Sequence, residues 1–67
     1  MHVLKRERLE HGMSLSQLSA ATGLSIATLA RAESGWRVSE LTTFKIAKAL
    51  DRDPEELITV LAEESSS

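Results

Sequence analysis

The stretch Ser14-Leu15-Ser16-Gln17-Leu18-Ser19-Ala20-Ala21-Thr22-Gly23-Leu24-Ser25-Ile26-Ala27-Thr28-Leu29-Ala30-Arg31-Ala32-Glu33 decides the fold. Ser14 and Gln17 make a capping box. The serine hydroxyl accepts a bond from a free backbone N–H at the helix start, and the glutamine side chain reaches back to the Ser14 N–H. A helix over 15–22 follows. It stops at Gly23, a residue able to take the positive φ that ends helices. Ser25 then caps a second helix over 26–33. Ser19, Ala20 and Ala21 are small, as they must be where two helices approach closely. Two short helices joined by the turn Gly23-Leu24-Ser25 form a compact unit. By itself this is a weak signal, because any helical bundle has short connections.

The same punctuation continues outward. Gly12 precedes Ser14, and Gly35 precedes Ser39, so each glycine stop is followed by a serine start. Asp53-Pro54-Glu55-Glu56 is the strongest start signal. It offers an Asp cap, Pro at the first helical position, and acids in the positive first turn. The spacing predicts helices over 2–11, 15–22, 26–33, 40–50 and 54–62. Strands are not expected, because no stretch sustains period-two alternation. Apolar positions recur at helical spacing. Leu15, Leu18 and Thr22 share a face, as do Leu29 and Ala32; Thr43, Ile46, Ala47 and Leu50; and Leu57 and Leu61. With Leu4 and Met13 they form one expected core. The chain therefore reads as a single all-α domain over 1–62, with a polar tail over 63–67 expected to fray.

The composition narrows the function. The 67 residues include no cysteine, so no disulfide forms and no thiolate binds metal or attacks a substrate. His2 and His11 stand apart and are expected at the surface, so no metal site and no cofactor are expected. No apolar run approaches the ~20 residues that span a bilayer, and no signal-peptide pattern opens the chain. No membrane partner is therefore expected, and the location is expected to be cytoplasmic. A chain this short buries only ~60% of its unfolded surface, so association with a second copy would help it. The net charge is −2, but the charges are unevenly placed. Residues 1–50 hold seven of the eight Lys and Arg against four acids, whereas residues 51–67 hold Arg52 against six. The positive part suits phosphate; an ordinary solvated surface fits as well. No paired-carboxylate, Ser/His/Asp or phosphate-loop pattern occurs, so an enzyme is not expected.

In combination the motifs resemble a known family. Arg8 lies four residues before Gly12, and Leu18-Ser19 precedes Gly23. Glu33-Ser34-Gly35, Ile46-Ala47-Lys48-Ala49-Leu50 and Asp53-Pro54-Glu55-Glu56-Leu57 follow. Over residues 4–58 the chain resembles the Cro/phage-repressor type of helix-turn-helix domain. The resemblance implies five helices, the third lying in the major groove of double-stranded DNA, and a homodimer that regulates transcription, as a repressor. By position it implies that Ser25, Ile26, Ala27, Thr28 and Arg31 face base edges. Ser14 and Ser16 at the start of the second helix match backbone contacts, as do Trp36, Arg37 and Ser39. Arg8 and Glu33 match a buried ion pair joining the first and third helices.

The chain also departs from the pattern. Leu15 stands where the family commonly has a phosphate-binding Gln. Ser19 replaces a usual Ala, Val38 replaces a frequent Pro, and the recognition helix lacks Gln, Asn and Lys. Arg31 suits the O6/N7 fork of guanine or a phosphate; a solvated surface arginine is the plain alternative. Ile26 and Ala27 suit thymine methyls, or are simply exposed. Trp36 lies along a sugar-phosphate backbone or packs the loop onto the core. Lys5, Arg6, Lys45 and Lys48 read as solvated faces. Phe44, Ile58 and Val60 fall beside the core stripes and suit a dimer interface, or complete the monomer core. Net acidity, Leu15 and the apolar third helix also fit a second class of function. In that class the scaffold serves mainly protein–protein contact, as an antirepressor, antitoxin or assembly module, with weak or no DNA binding.

Overall fold

A computed structural model describes residues 3–65, and the side chains of residues 3–63. Its elements are α1 (Val3–Glu10), α2 (Leu15–Thr22), α3 (Ile26–Glu33), α4 (Glu40–Ala49) and α5 (Pro54–Ser65). Met1, His2, Ser66 and Ser67 lie outside the described residues. The expected first position of helix 1 and the surface reading of His2 fall there. His11 is exposed.

The starts of α2, α3 and α4 are capped as their residues dictate. Ser14 Oγ accepts the Gln17 N–H at 3.1 Å, and Gln17 Oε1 accepts the Ser14 N–H at 2.7 Å. Ser25 and Ser39 accept the N–H of the residue three positions on, Thr28 and Thr42, each at 3.1 Å. The ends follow a second rule. After α3, the Gly35 N–H bonds the Ala32 carbonyl and the Trp36 N–H bonds the Arg31 carbonyl, with Gly35 at φ 91°. This six-to-one closure needs a left-handed residue. A Cβ at Gly35 would meet nothing within 4 Å, so conformation alone demands glycine there. After α4 the same closure runs from the Arg52 N–H to the Ala47 carbonyl, and the left-handed residue is Asp51, at φ 55°. The sequence reading finds only the glycine stops and misses this one. At the other end, α5 runs to Ser65 instead of stopping at 62. No Gly or Pro follows Leu61 to end it, and Glu63 and Glu64 favour helix.

Helices α2 and α4 pack together, α3 packs on α2, α5 on α4, and α1 on α3. Between them lie Val3, Leu4, Leu18, Leu29, Ala32, Ile46, Ala47, Leu50 and Leu57, all buried. Val3 joins the expected core residues. Met13, Leu15, Leu24, Val38, Ala49, Val60 and Leu61 pack around its edge. Leu15, which cannot bind phosphate, is thus used for packing. Burying each Leu or Ile contributes roughly 1.5–3 kcal/mol. Helix α3 is therefore backed by α1 and α2, and its outer side is left open.

Candidate nucleic-acid interface

The turn before α3 is held from α2. The Ser19 hydroxyl donates to the Leu24 carbonyl at 2.6 Å, and the Leu24 N–H donates to Thr22 Oγ1 at 3.2 Å. The Gly23 N–H closes α2 on the Ser19 carbonyl at 2.8 Å. Ser19 is thus more than a small residue in place of Ala. It ties the turn that sets the angle between α2 and α3.

The other end of α3 is held from α1. Arg8 Nε donates to Glu33 Oε2 at 2.7 Å and Nη2 donates to Oε1 at 3.1 Å, a bidentate pair. Its Nη1 donates to the Met13 carbonyl at 2.7 Å. The two side chains are only 8% and 9% exposed. Bonding to Glu33 holds the Arg8 guanidinium above its ordinary value, against the opposing effect of burial. A second, partly buried bridge links α1 to the far side of the domain. Arg52 bonds Glu7 through Nη1 and Glu56 through Nη2, the latter at 2.9 Å. The sequence reading has no place for Glu7 and counts Arg52 only as a cation among acids. No local spacing joins positions so far apart in the chain.

Fixed at both ends, α3 presents Ile26, Ala27 and Arg31 to solvent, with Thr28 and Ala30 half-buried at the margins. Helical spacing puts Ala30 on the same outer stripe as Ala27 and Ile26. It is the one outer residue absent from the sequence-derived set, although its spacing of three from Ala27 would have found it. Thr28 and Arg31 also line an open cleft of about 280 Å³ together with Trp36, Arg37 and Val38 of the following loop. Trp36 is 68% exposed, so it does not pack the loop onto the core. Val38 does that instead, packing at the core edge while forming one wall of the cleft.

The charges around this cleft are unspent. Among the described residues, Arg6, Arg8 and Arg52 each pair with a carboxylate, while Arg31 and Arg37 do not. Cleft and outer helix face together form one cationic, partly apolar surface. The Helix-turn-helix family model matches residues 4–57 of the chain. The chain belongs to the Cro/phage-repressor type of helix-turn-helix domain. This family consists of DNA-binding regulators. Comparisons with curated proteins and with solved structures return no match.

Seen as a helix-turn-helix domain, the chain places the expected residues in three groups. Thr28, Arg31, Trp36 and Arg37 meet at the cleft, and Ser25, Ile26 and Ala27 continue the surface along α3. Ser14 and Ser16 are exposed at the start of α2, and Ser39 is exposed at the start of α4, outside the cleft. The expected interface residues lie apart from this surface. Phe44 is 43% exposed and Ile58 is half-buried, but Val60 packs against the core edge. Val60 is therefore already used by the monomer. Among the described residues no helix is long and apolar enough to cross a membrane.

Proposed function

We propose that this chain is a cytoplasmic, sequence-specific transcriptional regulator, a repressor, that lays α3 in the major groove of operator DNA as a homodimer. The carrying observation is the pair Arg31 and Arg37. Both lie beside the outer face of α3, and neither pairs with a carboxylate among the described residues. Arginine left unpaired beside an exposed helix suits phosphate or guanine, which take its fork of donors. In this reading Ser25, Ile26, Ala27, Thr28 and Arg31 face bases. Ser14, Ser16, Trp36, Arg37 and Ser39 flank the sugar-phosphate backbone. The free N–H groups at the helix starts add to phosphate binding.

The dimer reading draws on exposed apolar surface outside the DNA face. Leu41 and Phe44, 64% and 43% exposed, stand three residues apart on the outer side of α4. Ile58 adds a half-buried position on α5. A two-fold dimer sets two copies of α3 one DNA turn apart, about 34 Å. Selection of bound fragments from genomic DNA, followed by gel shifts at low and moderate salt, tests the reading. Wild type should enrich a pool, and Arg31→Ala should cost about 1–3 kcal/mol of binding. If wild type binds no better than Arg31→Ala even at low salt, α3 is not a DNA reader. The scaffold then serves protein–protein contact instead.

A further inference from the structure

The Ser25 hydroxyl, at the start of the outer face of α3, is already committed. Ser25 Oγ accepts the Thr28 N–H at 3.1 Å and donates its own proton to Thr28 Oγ1 at 2.9 Å. Ser25 therefore has no proton to offer a base. Beyond it the outer stripe runs Ile26, Ala27, Ala30 and Arg31. Ile26 is 46% exposed, although nothing in the monomer prevents a polar residue from standing there. The outer face is thus mostly apolar, with the half-buried Thr28 hydroxyl at one margin and a single guanidinium at one end.

The edges of base pairs in the major groove are mostly donors and acceptors, and the one apolar group that projects into it is the C5-methyl of thymine. Pressing Ile26 against a donor or acceptor strips that group of water and leaves it unpaired, which is costly. Pressing it against a methyl removes apolar surface from water on both sides, which is favourable. We infer that Ile26, with Ala27 beside it, forms a methyl-reading patch, and that this protein selects thymine by its C5-methyl and not by its hydrogen-bonding edge. The inference rests on α3 acting as the DNA reader, and it names the base feature that α3 selects.

Uracil differs from thymine only in lacking that methyl. The fragment pool enriched by wild-type protein is amplified once with thymidine triphosphate and once with deoxyuridine triphosphate, and both pools are titrated. Each methyl removed from contact should weaken binding about fourfold. The Ile26→Ala variant, its helix content checked by circular dichroism, should bind both pools alike, within about twofold. Equal binding of the two pools by wild type overturns methyl reading while leaving DNA binding intact. A uracil effect that persists undiminished in Ile26→Ala also overturns it, because the methyls then act through DNA shape. Failure to bind either pool removes the DNA-binding reading and this inference with it.

Discussion

Replacing Glu33 by Gln keeps the shape of the side chain and removes its charge. In the native domain the Arg8 guanidinium is 8% exposed and makes three hydrogen bonds, two to Glu33 and one to the Met13 carbonyl. The substituted side chain offers one acceptor oxygen and an amide nitrogen that faces a donor. Arg8 is left buried, charged and short of one bond. Removing one partner of a buried pair costs about 3–5 kcal/mol. A domain of 67 residues has only roughly 3–10 kcal/mol in all. At ~4–8 °C per kcal/mol for a chain of this size, the melting temperature should fall by at least about 12 °C. Circular dichroism melts at 222 nm measure this directly, and urea titration gives the free energy. The double variant Arg8→Met/Glu33→Leu should recover most of the loss, because no charge is then stranded. It should still fall ~1 kcal/mol short of wild type, since the Met13 carbonyl loses its donor. A Glu33→Gln protein melting within ~2 °C of wild type would show the pair to be solvated and refute the reasoning.

Further outcomes follow from the same geometry. Ser19→Ala deletes the bond to the Leu24 carbonyl and should cost ~1 kcal/mol in a urea titration, with weaker DNA binding if the turn angle relaxes. Asp51→Gly places the preferred residue at φ 55° and should raise stability by about 0.5–1 kcal/mol, seen as a higher melting temperature. Glu10→Ala breaks only the exposed Arg6–Glu10 contact at 3.6 Å and should change stability by less than ~0.5 kcal/mol. Arg37→Ala should weaken binding about equally on all DNA sequences and lower the salt slope by roughly 1. A base-specific loss there would move Arg37 from the backbone to the groove.

Local chemistry was legible in the chain itself. The three serine caps and the capping glutamine act within one helical turn, so residue type and spacing determine them. The same holds for the helix stops at Gly12, Gly23 and Gly35, and for the apolar faces of α2 to α5. Asp51 escaped because the left-handed stop takes Asp only at a cost, and nothing local announces that the cost is met. What the tertiary structure alone decided is where distant residues meet. It set Glu7 against Arg52, made Ser19 the tie across the turn, and used Val38, not Trp36, to anchor the loop. It also decided which cations remain available. In the sequence five arginines look alike. Folding brings carboxylates to Arg6, Arg8 and Arg52, and leaves Arg31 and Arg37 beside the open face of α3. An arginine's availability depends on its neighbours in space, and those are assigned only when the helices pack.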